Sequence, residues 1–320
     1  MKRVALAIIV VLVSSFGITP KEAYQKALKF EKNSDFKSAL YWYKKASQLS
    51  LGITNNINKN HKKNSKKSIK QESNIVRSII DPKIKIEPYY INYLMPVAYD
   101  TVKHSNRKSI ETKFQISFKK RLSYNFFGLK ESIYAAYTQV SYWQTTEKSS
   151  PFRETNYMPE LFVLFPYKKE NLLLKYYRLG LLHQSNGRGG IESRSWNRLY
   201  LQGVFRYKDF IFAPRVWYRI PERKKTTPLD ASGDDNPDIW NYMGYGDLKI
   251  IYSYKAQRFS LLLRNNFRTP NRGAVQFDWT FPLFRDGVFG YLQIFSGYGE
   301  SLIDYNKRNN RIGIGIAISR

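Results

Sequence analysis

The sequence predicts an all-β transmembrane barrel of about 12 antiparallel strands, preceded by a short N-terminal α-helical hairpin. Three observations carry this reading. From Tyr89 onward, segments of roughly 9 to 14 residues alternate in polarity and are separated by turn residues, as outer-membrane strands do. Tyrosine and phenylalanine are abundant, 25 and 20 of 320 residues, a bias that suits strands and the aromatic girdles of a membrane barrel. Beyond the N-terminus no stretch offers the roughly 18 uninterrupted apolar residues of a membrane helix, so entry into a bilayer requires a closed sheet.

The elements follow in order. Residues 1–18 begin Met1-Lys2-Arg3, continue with an apolar run from Val4 to Val13 and end in small residues, the pattern of a secretory signal peptide. Residues 19–51 change to helical spacing: Ala23, Tyr24, Ala27, Leu28 and Phe30, an interruption at Asn33-Ser34-Asp35, then Ala39, Leu40, Tyr43, Ala46 and Leu49. This resembles one tetratricopeptide or Sel1-type hairpin, which cannot bury its apolar face alone and is expected to dock on a periplasmic partner or a second copy. Residues 52–88, including "NKNHKKNSKKSIKQ", are rich in Asn, Lys and Ser and are expected to form a disordered basic linker. Residues 89–320 form the barrel, with strands expected at 91–99, 113–121, 132–144, 158–168, 172–185, 194–207, 209–220, 243–255, 258–268, 273–284, 288–299 and 311–319. The connections "KKEN", "YKD", "KAQ" and "RDG" are tight and therefore periplasmic, which places the turn 186–193 outside the cell.

Composition excludes several function classes. The formal net charge is +28, yet there is no recognition helix, zinc-finger spacing or RNA-binding sheet motif, so nucleic acid is not the expected partner. Anionic lipid or lipopolysaccharide is the expected counter-charge. The chain has no cysteine, which removes disulfides, thiolate nucleophiles and Cys-bound zinc. Covalent chemistry must then use oxygen.

The stretch "LLHQSNGRGGIESRSWNRLY" (181–200) supplies such an oxygen. In an extended strand His183 and Ser185 share a face with Leu179 and Leu181, and across the turn Asn197 shares a face with Leu199 and Leu201. Singly, each polar residue fits the headgroup level of a lipid-facing wall. Together they supply a hydroxyl nucleophile, a base to take its proton and a group to orient the base. Asparagine does the last without setting a full charge beside hydrocarbon. The other histidines, His61 and His104, fall in the linker and in a loop.

The motifs "YTQVSYWQ" (137–144), "SSPFRETNY" (149–157), "HQSNGR" (183–188), "SRSWNRLY" (193–200), "DDNPDI" (234–239), "YMGY" (242–245) and "SGYGESLIDYN" (296–306) together resemble the outer-membrane phospholipase A family across essentially the whole barrel. The resemblance implies Ser185 as nucleophile, His183 as general base and Asn197 as the residue orienting His183. It implies hydrolysis of phospholipid and lysophospholipid acyl esters, a calcium requirement and activity as a homodimer. It further implies Gly187 as the oxyanion amide, Arg188 (main-chain oxygen) and Ser193 as calcium ligands from one subunit, and Ser149 from the other. Asp235 matches a calcium position of the monomeric form. The acidic residue the family can carry in the turn is replaced, since 189–192 read Gly-Gly-Ile-Glu, with Glu192 as its substitute. Gln139 matches a family glutamine and is expected in a polar network across the lumen. A porin without chemistry is the alternative that the same strand pattern allows.

Overall fold

The computed structural model describes residues 18–50, 85–167, 173–227, 229–230, 233–284 and 287–320. The chain divides into two compact units, up to Lys83 and from Ile84 onward. The expected signal peptide lies outside the described residues, apart from its last position, as do most of the expected linker and the "KKEN" turn.

The first unit is a helical hairpin of α1 (Pro20–Lys32) and α2 (Phe36–Ser50). Thr19 opens α1 with a capping box, accepting from the Glu22 amide while Glu22 reaches back to the Thr19 amide, and Pro20 sits where its missing N–H costs nothing. Asp35 caps α2 through the Ser38 amide. Only small side chains, Ala23, Ala27, Ala39 and Ala46, are fully buried, whereas Phe36, Leu40 and Tyr41 stand exposed. The hairpin therefore leaves much of its apolar surface in solvent, as one repeat by itself must.

The second unit is a closed antiparallel barrel. Its twelve strands are β2 (Asn92–Asp100), β3 (Ile110–Tyr124), β4 (Ser132–Trp143), β5 (Phe152–Pro166), β6 (Leu174–Ser185), β7 (Ser195–Tyr207), β8 (Phe210–Ile220), β9 (Gly246–Tyr254), β10 (Gln257–Asn265), β11 (Gly273–Pro282), β12 (Phe289–Gly297) and β13 (Asn309–Ser319). Each pairs with its sequence neighbours, and β13 pairs with β2 to close the ring. An extra strand, β1 (Ile86–Pro88), continues the line of β2 along β3, with Ile86 opposite Lys120. Residues 86–88 are thus ordered backbone in the sheet, and the expected linker stops short of them. A short helix, α3 (Trp240–Met243), precedes β9. The strands that most outrun their expected spans are β3, which extends at both ends, and β5, which begins at Phe152, not 158. At their external ends the added residues include Glu111, Arg153 and Glu154, whose charges face the lumen and are met there by partners.

The alternation fixes the two walls. Leu179, Leu181, Leu199, Leu201, Ile314 and Ile316 are exposed on the outer wall, while Tyr142, Trp196, Tyr200 and Tyr291 are buried within. In "RIGIGIAIS" the glycines are a packing requirement, because a Cβ on Gly315 would lie 2.0 Å from the Leu94 carbonyl oxygen. The lumen is crossed by ion pairs. Four cations, Arg107, Lys113, Arg153 and Arg311, meet four buried carboxylates, Asp100, Glu111, Glu300 and Asp304. Glu111 alone touches Arg153 at 2.5 Å, Arg311 at 2.9 Å and Arg107 at 3.3 Å. Burial raises the Glu300 carboxyl, but Arg311 and Lys113 outweigh it and hold Glu300 well below the usual carboxylate range. A depressed carboxylate stabilises the fold above its unfolded pKa, so this contribution is lost only as pH falls through that range and below.

Gln139 departs from expectation. It shares its face with Tyr137 and Ser141, and Tyr137 pairs with Phe118 on the outer wall. The lumen set is instead Thr138 and Tyr142, the latter donating to the Glu300 carbonyl at 2.6 Å. Gln139 accepts from Tyr137 at 2.9 Å and donates to Ser141 at 3.1 Å, and Ser141 lies 3.1 Å from Thr155. This polar ladder runs on the lipid-facing side.

The ion network yields the first prediction. Glu111→Ala leaves three buried arginines short of a partner and should cost about 3–5 kcal/mol, whereas Glu147→Ala, which removes an exposed pair with Lys108, should leave stability nearly unchanged. Urea unfolding of the barrel in lipid vesicles measures both, and equal midpoints would contradict the ranking.

Candidate active site

The register of β6 against β7 sets the site. His183 lies directly opposite Asn197 and Ser185 opposite Ser195, so all four project from the same wall as Leu181 and Leu199. On the other side of β6, Tyr157 lies opposite Ser185. His183, Ser185 and Asn197 are half-buried, between exposed leucines on one side and the external loops on the other.

His183 Nδ1 lies 2.8 Å from Asn197 Oδ1. Asn197 Nδ2 donates to Glu222 Oε1 at 2.9 Å, which leaves the amide oxygen facing the ring. A ring nitrogen facing a carbonyl oxygen carries the proton, so Nε2 is the bare, basic nitrogen. Ser185 is two residues further along the same face, and its hydroxyl is not hydrogen-bonded among the described residues. Glu222 was not anticipated from the sequence, although its parity was available: it follows Ile220, which pairs with Asn197, by two residues across Pro221. Burial pushes its carboxyl above the usual range against the Asn197 hydrogen bond, and Asp234 adds to the rise.

The turn 186–194 is built around Asn186. Its side-chain oxygen accepts from the Arg194 amide at 2.9 Å and the Arg188 amide at 3.3 Å, and its Nδ2 donates to the Glu192 carbonyl at 2.8 Å. Gly187 has φ +67°, and a Cβ there would lie 2.8 Å from the Tyr157 ring, so only glycine fits on both counts. Its N–H enters no hydrogen bond among the described residues and points to no partner of its own. The Arg188 guanidinium donates to Glu192 and to the Arg153 carbonyl. Glu192 therefore serves as the partner of Arg188 and does not reach the Asp235 cluster.

Of the expected calcium ligands, Ser193 and Asp235 are brought together. Asp235 Oδ2 accepts from Ser193 Oγ at 2.8 Å and from Ser195 Oγ at 3.1 Å, while Lys225 Nζ lies 2.5 Å from Oδ1. Among the described residues no three His, Cys, Asp or Glu side chains converge as a metal cluster. A hard cation here would rest on one carboxylate, hydroxyls and main-chain oxygens. That donor set fits calcium, and the Lys225 ammonium shows that the carboxylate attracts a cation. Ser149 is exposed in the loop between β4 and β5 at φ +61°, and this single chain makes no contact between it and Arg188, Ser193 or Asp235.

Residues 66–318 match the model of a family described as phospholipase A1. The chain belongs to the phospholipase A1 family. A homologue from Neisseria meningitidis serogroup B is 41% identical over 223 residues, 67% of this chain and 56% of that protein, so the chain spans little more than half of that relative's length. The phospholipases A1 of Salmonella typhimurium and Escherichia coli are each 36% identical over 75% of this chain and 83% of their own. The solved structure of outer membrane phospholipase A from E. coli superposes with a TM-score of 0.66 at 35% identity, over 74% of this chain and 93% of that one. A Salmonella typhi outer membrane phospholipase, with the same TM-score and coverage, was solved as a dimer with bound calcium. The barrel is accordingly a bacterial outer-membrane barrel. The family match covers the strands that carry His183, Ser185 and Asn197 and leaves the helical hairpin outside it.

Lys225 sets a prediction for this site. Lys225→Ala removes a tethered cation from Asp235 and should raise the affinity for calcium, or for terbium as a luminescent probe, by about tenfold, equivalent to about 1.4 kcal/mol. Titration of the detergent-solubilised barrel reads it, and an unchanged midpoint would show that Lys225 does not compete.

Proposed function

We propose that this protein is a calcium-dependent outer-membrane phospholipase that hydrolyses acyl esters of phospholipids and lysophospholipids through Ser185, His183 and Asn197. The observation that carries the reading is the 2.8 Å contact between His183 Nδ1 and Asn197 Oδ1 on the lipid-facing wall, two residues from Ser185. The E. coli outer membrane phospholipase A has an active-site asparagine, the residue changed to alanine in one of its structures.

In this reading Ser185 Oγ attacks the ester carbonyl carbon and passes its proton to His183 Nε2, while Asn197 Oδ1 holds the Nδ1–H and steadies the imidazolium. The Gly187 amide donates to the developing oxyanion. The imidazolium then protonates the departing glycerol oxygen, and a water, deprotonated by the same ring, releases the fatty acid from Ser185. The substrate arrives laterally from the leaflet, since the three side chains face the hydrocarbon and not the lumen. Ser193, Asp235, the Arg188 carbonyl and Ser149 of a second copy would hold calcium, which when bound adds positive charge beside the polarised ester carbonyl.

A homodimer fits the exposed position of Ser149 and the Tyr137–Gln139–Ser141–Thr155 ladder, because a second copy would cover polar groups that lipid cannot satisfy. Residues 1–18 would direct export, and the basic segment that follows the hairpin would tether it near lipopolysaccharide and anionic lipid. The hairpin would dock on a periplasmic partner or a second copy. A porin reading has no comparable support, since ion pairs and aromatic rings cross the lumen.

Purified protein in phosphatidylethanolamine vesicles with calcium should release fatty acid, and Ser185→Ala should lower the rate by at least about 10³-fold while leaving the barrel folded. Retention of activity by Ser185→Ala, or insensitivity of the wild type to a chelator, would refute the triad or the calcium requirement respectively. If Ser149 is supplied in trans, the rate per enzyme rises with protein density in the vesicle, and a rate constant across dilution would exclude it.

A further inference from the structure

The contact between Asn197 and Glu222 reaches beyond the three residues above. We infer that Glu222 is a positioning residue for the hydrolysis, locking the Asn197 amide in the one orientation that keeps His183 competent as a base. The inference rests on the proposed roles of Ser185, His183 and Asn197.

The two ends of an asparagine amide are nearly the same size, and a 180° turn about χ2 exchanges an acceptor for a donor. With Oδ1 toward the ring, His183 holds its proton on Nδ1 and presents a bare Nε2. With Nδ2 toward the ring, the proton moves to Nε2, which can then accept nothing from Ser185. His183 itself is indifferent between these arrangements, since either tautomer satisfies the amide. Glu222 breaks the degeneracy. An ionised carboxylate only accepts, so the Asn197 atom 2.9 Å from Glu222 Oε1 has to be the NH2 group, and the oxygen is left for His183 2.8 Å away.

The fold supplies Glu222 at that point for a simple reason. Val216, Tyr218 and Ile220 face outward on β8, Ile220 lies opposite Asn197, and Glu222 continues the same parity just past the last paired residue. Arg219, on the opposite face, is engaged by Asp234 and the Pro237 carbonyl and acts on Glu222 only at a distance, with no hydrogen bond between them. The carboxylate therefore has Asn197 as its hydrogen-bonded partner among the described residues.

The test compares Glu222→Ala, Glu222→Gln and Asn197→Ala, alone and combined, with Ser185→Ala as the reference for hydrolysis through the serine. Glu222→Ala should lower kcat about tenfold with KM within twofold, and should have no further effect when added to Asn197→Ala. Glu222→Gln can present its NH2 as readily as its oxygen, so it no longer dictates which end of Asn197 faces His183 and should recover little of the loss. Nitrogen-15 spectra of the His183 ring should show a bare Nε2 in the wild type and a mixture of tautomers in Glu222→Ala. An unchanged kcat for Glu222→Ala, a loss that persists at full size in the Asn197→Ala background, or a Glu222→Gln as fast as the wild type would each overturn the inference. Undiminished hydrolysis by Ser185→Ala would instead remove the reading on which it stands.

Discussion

The pairing of β13 with β2 is the constraint on which everything else in this barrel depends. It removes the last sheet edge, so no strand N–H or C=O along the ring need face lipid unpaired. It also makes every register absolute. In an open sheet a strand can slip by one residue at an edge, but in a closed ring each slip would turn a whole strand's lumen side chains into hydrocarbon. His183 faces Asn197 across β6 and β7 for this reason and not through any attraction of its own.

Closure divides the chain's charge between two environments. Within the lumen, carboxylates and cations are matched four to four at the external mouth, where Asp100, Glu111, Glu300 and Asp304 bind Arg107, Lys113, Arg153 and Arg311. Such clusters are costly to desolvate and gain little over apolar packing, but breaking one of them strands a buried charge. They therefore fix the external loops to the barrel wall. Glu154 shows the linkage: its buried carboxylate accepts from Asn156, from the Ile303 amide and from Asn186, the residue that shapes the turn after Ser185. The turn that carries Gly187, Arg188 and Ser193 is thus anchored on the lumen side while its neighbours His183 and Ser185 face lipid.

What could be read from the sequence follows the same division. The fold class, the strand count of the ring and the shared face of His183, Ser185 and Asn197 were legible because those strands alternate apolar with polar in a clean period of two. Gln139 was misplaced because "YTQVSYWQ" alternates aromatic with polar in both sets, Tyr137 and Trp143 against Tyr142, so parity had no hydrophobic marker and the lumen side was settled only by Tyr142 meeting Glu300. The start of β5 at Phe152 was hidden by Arg153 and Glu154, which look like loop residues until their lumen partners are known. Glu222 and Lys225 lie in an external loop whose path no periodicity encodes, and their partners sit 25 and 10 residues away along the chain. Residues 86–88, Ile-Glu-Pro, pair with β3 although three residues are too few for any alternation to mark them as a strand.

In the proposed reading, the arrangement His183–Asn197–Glu222 resolves a conflict that the membrane imposes on acid–base chemistry. A histidine acting as base is best supported by a negative charge on its far nitrogen, but an aspartate at position 197 would stand on the lipid-facing wall between Leu199 and Ile220, where an ionised carboxylate is expensive. Interposing a neutral amide moves that charge one hydrogen bond outward, to Glu222, half-buried just beyond the end of β8 and outside the strand wall. The amide polarises between the carboxylate and the ring, so part of the charge's effect is passed inward without the charge itself entering hydrocarbon. The cost is an orienting group that could face either way, and the carboxylate that supplies the charge also removes that freedom. On the proposed mechanism, one side chain just past a strand end would set both the electrostatics and the tautomer of the base.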